Sequence, residues 1–375
     1  MISKKMVRGF LLFAIAALLT IFGRTVFAQS LTPQQQLGKD VFFDVNLSEP
    51  AGQSCASCHD PAVGFTDPDK NLPVSEGVIP GRFGTRNSPS AAYAVFFPTF
   101  TPKGGIHGGQ FWDGRAADLT EQAKGPFLNP VEMNNTSRAQ VIAKIALATY
   151  ASLFEQVCGP NAFNLANTDT SYNCMAASIA AFEGTSALNK FTSKFDAYLS
   201  GLYTLTPQEN MGRRLFSGSG KCAHCHDDNG RPVVFTDFKF HNIGLPTNRE
   251  YPFSLLNPIP IDLGLGVNPF VMDHREDGKF KTTHLRNVEL TSPYMHNGVL
   301  KTLKQVVHFY NTRDILAPCA PALGNLDPGF GTTCWPAPEI PQTMDSSFVG
   351  NLGLTDAEED AVIAFMLTFT DGYLP

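Results

Sequence analysis

The chain has 375 residues, with 28 Lys and Arg against 34 Asp and Glu, for a formal net charge of −6. That length is comfortable for two domains. No basic block or stripe is present, so nucleic-acid binding has no support. The 32 Gly, 27 Pro and 30 Phe read as a globular protein of short helices and long ordered loops, with little sheet.

The N-terminus reads as an export signal. Lys4, Lys5 and Arg8 precede an apolar run from Phe10 to Phe22, broken by Gly23. Val26 and Ala28 fit the small-residue positions before a cut, which predicts cleavage after Ala28. An uncleaved anchor is the alternative, although the run is short for a membrane span. Residues 1–28 are therefore read as signal peptide. The mature chain is expected in the periplasm, an oxidising compartment, with no stable membrane span after cleavage.

Next in the chain comes a helix start that recurs later. Thr32-Pro33-Gln34-Gln35 and Thr206-Pro207-Gln208-Glu209 each place Thr at the N-cap, Pro at the first helical position and Gln or Glu three residues after the cap. Leu37-Gly38-Lys39 in the first helix matches Met211-Gly212-Arg213 in the second. Each helix leads to a C-x-x-C-H segment: Cys55-Ala-Ser-Cys58-His59 and Cys222-Ala-His-Cys225-His226. This is the attachment motif of c-type haem. The two thiols reach the two vinyl groups of one porphyrin, and the adjacent His is held under the iron. Zinc would favour another C-x-x-C or spaced His residues.

The repeat extends past the haem motifs. Phe111-Trp112-Asp113-Gly114, Leu119 and Gln122 match Met295-His296-Asn297-Gly298, Leu303 and Val306. Aligning the Gly and Leu residues without gaps sets Pro126 against Tyr310. Pro offers no donor atom to an iron, whereas Tyr offers a phenolate oxygen. One haem is thus expected to be open for chemistry and the other closed for electron transfer. Four cysteines remain, and Cys158–Cys174 and Cys319–Cys334 are the simplest disulfides after export. A last helix, capped by Thr355 with Glu358, carries Val362, Phe365, Met366 and Phe369 at helical spacing and reads as core. The expected fold is mainly α: two cytochrome c-like haem domains with long ordered loops, at residues 29–200 and 201–375.

Gln110 to Arg115, Gln122, Asn129-Pro130-Val131-Glu132-Met133, Leu285-Arg286-Asn287 and Pro293 to Gly298 resemble the bacterial di-haem cytochrome c peroxidase and MauG superfamily. The resemblance covers nearly all of the mature chain. It implies two covalently bound haem c groups and calcium between the domains, held by the Asn87 side chain and the backbone carbonyls of Thr291 and Pro293, which suit a hard cation. It also implies an open first haem on His59 with Gln122, Pro126 and Glu132 around it. Glu132 would move the proton that peroxide cleavage requires, and Gln122 would orient peroxide or water. Trp112 would couple the haems; a packed core Trp is the plain alternative.

Within the superfamily, peroxidases carry Met on the second haem and MauG-type enzymes carry Tyr, at a position that corresponds here to Tyr310. Thioether sulfur raises a haem potential, whereas a phenolate is expected to lower it. Met295, Tyr294 and His308 are rival ligands, and a core Tyr with a bonded hydroxyl is the plain alternative. The loop from Gly77 to Thr85 lacks the distal His of the family's peroxidases; His107 is a weaker substitute.

Two activities follow from the resemblance. In one, the enzyme reacts with hydrogen peroxide and draws electrons through the second haem from a residue of a partner protein, such as Trp. In the other, it is a conventional cytochrome c peroxidase fed by a small periplasmic cytochrome or copper protein. A non-catalytic electron carrier is the third reading.

Overall fold

Helices dominate because capped apolar segments recur along the chain. The computed structural model describes residues 30–374, so the signal peptide read over 1–28 lies outside the described residues. In chain order the helices are α1 (Pro33–Phe43), α2 (Cys55–Cys58), α3 (Leu119–Ala123), α4 (Gly125–Leu128), α5 (Arg138–Ile145), α6 (Ala151–Cys158), α7 (Thr168–Glu183), α8 (Lys194–Leu199), α9 (Pro207–Ser217), α10 (Leu303–Thr312) and α11 (Asp356–Met366). Short 3-10 turns and long ordered loops join them. Two-residue strands β1 (Phe240–His241) and β2 (Phe280–Lys281) pair antiparallel, and β3 (Ala317–Pro318) and β4 (Cys334–Trp335) pair parallel. Among the described residues no helix is long and apolar enough to cross a membrane.

The caps stand where the sequence sets them. Thr32, Thr206 and Thr355 each accept a hydrogen bond from the backbone N–H three residues on, and Gln35, Glu209 and Glu358 return the bond to the cap. Reciprocal bonding of this kind satisfies amide donors that a helix end otherwise leaves free.

The repeated Gly38 and Gly212 have one shared cause. A Cβ on Gly38 would stand 1.8 Å from the carbonyl oxygen of Ser178 in α7, and a Cβ on Gly212 would stand 1.8 Å from that of Ala361 in α11. α1 therefore packs backbone to backbone on α7, and α9 does the same on α11. Each contact seeds a core. Leu37, Val41, Phe42, Tyr172, Met175 and Ile179 belong to one buried cluster; Phe216, Val362, Phe365, Phe369 and Phe195 belong to a second. Full burial of such side chains contributes about 1.5–3 kcal/mol each. From Thr32 onward the chain nevertheless forms one compact unit.

The second repeat is equally literal in the backbone. Gln110 bridges Ala116 and Tyr294 bridges Leu300, both antiparallel. Within each bridged loop, Phe111 and Met295 share a positive φ (62° and 77°), as do Gly114 and Gly298 (70° and 62°). Asp118 then caps α3 and Thr302 caps α10. Here the halves part. α10 runs unbroken for ten residues, whereas the first half stops at Lys124 and restarts as α4 with Pro126 in its first turn. Pro126 has no N–H to continue the helix begun at Leu119. The disulfides Cys158–Cys174 and Cys319–Cys334 are both present, and the other four cysteines are free.

Candidate active site: two cysteine-histidine cavities

Two large cavities lie within the fold, one at each C-x-x-C-H segment. The first is lined by Cys55, Cys58 and His59 together with Gln122, Pro126 and Glu132. The second is lined by Cys222, Cys225 and His226 together with Tyr294, Met295 and Tyr310. Trp112, Asn87, Asp262 and His296 line both, so the two spaces meet at these residues. The first cavity is not walled by the first half alone. Asn248, Phe253, Leu256 and Ile261, from the long loop after β1, close part of it.

The histidines are set identically. His59 Nδ1 donates to the carbonyl of Phe65 at 3.1 Å, and His226 Nδ1 donates to that of Phe235 at 2.9 Å. Both Phe residues hold a positive φ, 60° and 59°, which turns each carbonyl onto its ring. With Nδ1 occupied, Nε2 is the nitrogen left for a metal, the usual outer-shell device for a ligating imidazole. Burial pushes both imidazoles down, keeping them neutral as ligation requires. Burial likewise pushes the thiols of Cys58 and Cys222 up to about 12. Neutral sulfurs suit conversion to thioethers on a porphyrin edge. The donor set, the neutral imidazoles and the large apolar-walled spaces fit haem c at both places.

Around the first cavity Glu132 sits in the turn after α4. Its Oε1 accepts from Asn129 Nδ2 at 2.6 Å. Burial raises its carboxyl, against the lowering pull of Asn129 and Arg115. Gln122 on α3 and Pro126 on α4 share the wall with it. His107 is held elsewhere, with Nδ1 donating to Gly105 at 2.7 Å, and does not line this cavity.

Around the second cavity Tyr310 projects from α10. Its hydroxyl has no hydrogen-bond partner among the described residues, and burial pushes it well above the ordinary phenol range. The rivals differ. Tyr294 donates its hydroxyl to the Val288 carbonyl at 3.0 Å, and His308 lies 2.9 Å from the Glu359 carboxylate, off the cavity. Met295 lines the cavity beside Tyr310.

Trp112 donates Nε1–H to the Asn87 carbonyl at 2.8 Å. Its ring meets that of His296 edge-on, 6.3 Å between centroids. Asn87 uses its Nδ2 on the Pro73 carbonyl at 3.0 Å, leaving Oδ1 for another contact. Thr291 and Pro293 line the same cavity as Asn87. A side-chain oxygen and backbone carbonyls are hard donors of the kind calcium takes.

Three further buried groups stand in these walls; Glu183 and Lys281 carried no local signal in the sequence, whereas His296 stood within the Pro293 to Gly298 segment. Glu183, at the C-terminus of α7, lines the first cavity; its carboxylate has no hydrogen-bond partner among the described residues, and burial pushes it up to about 8. His296 stacks on Phe280 at 3.5 Å between centroids, and both of its ring nitrogens lack partners. Lys281 is buried beside the second cavity.

Two C-x-x-C-H segments, each on its own cavity and each with a backbone-bonded His, define a di-haem c-type protein. Comparison with known proteins gives the same class. The family described as di-haem cytochrome c peroxidase matches residues 32–204. The methylamine utilization protein MauG of Paracoccus denitrificans is 38% identical over 347 residues, covering 89% of this chain and 88% of that protein. Cytochrome c551 peroxidase of Pseudomonas aeruginosa is 34% identical over 293 residues, covering 77% and 74%. The crystal structure of the diheme peroxidase BthA from Burkholderia thailandensis matches with a TM-score of 0.78 at 33% identity, covering 92% of this chain and 87% of that one. The chain belongs to the di-haem cytochrome c peroxidase and MauG family, and is an oxidoreductase of that family.

Proposed function

We propose that this enzyme reacts with hydrogen peroxide at the haem on His59 and draws electrons through a second haem ligated by His226 and Tyr310, taking them from a residue of a partner protein such as Trp. The observation that carries this reading is the Tyr310 hydroxyl, which faces the His226 cavity without a partner while Tyr294 and His308 are engaged. When bound, the first haem supplies an iron that accepts two oxidising equivalents from peroxide. The chain's own groups do the rest. Glu132 takes a proton from one peroxide oxygen and returns it to the other, and burial raises its carboxyl above the ordinary value. Gln122 orients peroxide or water. Pro126 presents no donor atom, so this position would leave an iron held by His59 free to meet peroxide. Trp112, lining both cavities, couples the haems. Two electrons from the partner and two protons complete reduction of peroxide to two waters.

The same reading assigns Asn87, Thr291 and Pro293 to calcium, residues 29–200 and 201–375 to the two haem domains, and the periplasm to the mature enzyme. A second reading, a conventional peroxidase fed by a small cytochrome or copper protein, is favoured by Met295 in the second cavity and by the relatives named peroxidases.

The test uses purified diferric protein with both haems loaded. One equivalent of hydrogen peroxide is added without prior reduction, and the ferric EPR signals of both haems are followed. Loss of both signals with slow return is expected. No reaction until one haem is reduced would transfer the assignment to the conventional peroxidase.

A further inference from the structure

Lys281 is 7% exposed and sits on β2, paired with Phe240 of β1. Its backbone N–H donates to the Trp112 carbonyl at 2.8 Å, so it stands beside the junction of the two cavities. Its ammonium has three donors. One reaches the Gly109 carbonyl at 3.2 Å, and the Phe97 ring centroid lies 4.2 Å away. Among the described residues no carboxylate pairs with it. The nearby Asp113 is already held by Arg86 at 2.7 Å and Arg115 at 2.9 Å.

A buried ammonium left so poorly partnered is costly, and burial alone pushes it down to about 7. Arg286 shows what a satisfied buried cation looks like: it is paired with Asp196 at 2.6 Å and bonded to the Val233 carbonyl. Lys281 lines the second cavity and does not line the first. The group that fits that cavity brings carboxylates of its own, the propionates of haem c.

We propose that Lys281 pairs with a propionate of the second haem and that this buried ion pair holds that haem's reduction potential up. The proposal rests on haem c occupying the second cavity. It does not depend on whether the enzyme modifies a protein or serves as a conventional peroxidase. A positive charge close to the macrocycle favours the reduced iron. Without it, a buried propionate stands unpaired and takes up a proton.

The test is a spectroelectrochemical titration of the holoenzyme, resolving both haems, in wild type, Lys281→Met and Lys281→Arg. Met keeps the volume and removes the charge. The expected result is a negative shift of the second haem's midpoint in the Met variant, larger than any shift of the first, with a new dependence on pH. The Arg variant should restore the midpoint towards wild type. An unchanged second midpoint together with a higher melting temperature in the Met variant would overturn the proposal, because removing a merely unpaired ammonium is stabilising. Equal shifts of both haems without rescue by Arg would also overturn it. Should the Met variant not accumulate with both haems, Lys281→Gln and Lys281→Arg are compared, with the same expected difference and the same overturning results. These midpoints do not depend on the peroxide reaction, so failure here is distinct from failure of the EPR test.

Discussion

Around His59 the walls carry Glu132, Gln122 and Pro126; around His226 they carry Tyr310, Tyr294 and Met295. The two frames holding these residues are near copies. Each has a capped helix crossing a partner helix at glycine, a His bonded to the carbonyl of a positive-φ Phe, and a bridged loop followed by a capped helix. The difference begins where α3 stops at Lys124 and α10 continues to Tyr310. One Pro in place of one Tyr, in a duplicated frame, sets a position with no donor atom against a position with a free phenol. Specialisation of the two cavities therefore rests on a few side chains rather than on fold, and exchanging those side chains is the way to break the comparison.

The largest effect is expected at Glu132. Glu132→Gln should slow the reaction of diferric enzyme with peroxide by about 10²–10⁴-fold, with the second haem's spectrum unchanged, as read by stopped-flow absorbance. The sign of the pH dependence follows from burial. The carboxyl is raised, and its deprotonated form takes the proton. The wild-type rate should therefore fall as pH drops through a value above the ordinary carboxylate range, and this limb should vanish in the Gln variant. A rate loss that leaves the limb in place would assign the proton to another group.

Tyr310→Met asks whether the asymmetry can be erased. Thioether sulfur raises a haem potential relative to an oxygen donor. The second haem's midpoint should move positive, its ferric EPR signal should change, and peroxide should cease to bleach both ferric signals together. An unchanged ferric spectrum would remove Tyr310 from the iron and leave Met295 as the first alternative.

Gly38→Ala and Gly212→Ala probe what the halves share. Each new Cβ meets a carbonyl oxygen at 1.8 Å, so helices must part by a fraction of their packing distance. Each variant should lose about 1–3 kcal/mol, the usual cost of overpacking. Differential scanning calorimetry checks the size, and equal losses would show that the two helix crossings are equivalent.

Much of the common frame was legible in the sequence because its signals are local. C-x-x-C-H, the Thr-Pro-x-Gln/Glu caps and the Gly-Leu register each fall within about a turn or two of chain. The alignment that set Pro126 against Tyr310 describes real backbone geometry, since the bridges and positive-φ residues keep that register. What stayed hidden arises by convergence. Glu183 reaches the cavity of Cys55 from the far end of α7, and the 243–264 loop closes the first cavity from the other half of the chain. Neither has periodicity or spacing to announce it. Lys281 reads as an ordinary polar residue until its burial is seen, and the segment holding His296 does not show that both ring nitrogens lack partners.

Glu183 and Lys281 also make a finer comparison, a buried acid on one cavity and a buried base on the other. The acid gives the smallest predicted effect and one with a definite sign. Burial lifts Glu183 from about 4.5 to about 8, so the folded state holds a proton that the unfolded chain has lost. Its contribution to stability is complete below the unfolded value and is lost as pH rises through the folded one. Glu183→Gln removes the ionisable group while keeping the shape. Melting temperatures of wild type and variant should agree near pH 4.5 and separate steadily towards roughly pH 9, with the variant the more stable at the upper end. Parallel curves would mean that the carboxyl gains a cationic or hydrogen-bonding partner in the loaded first cavity. The first cavity would then resemble the second in pairing its buried charge.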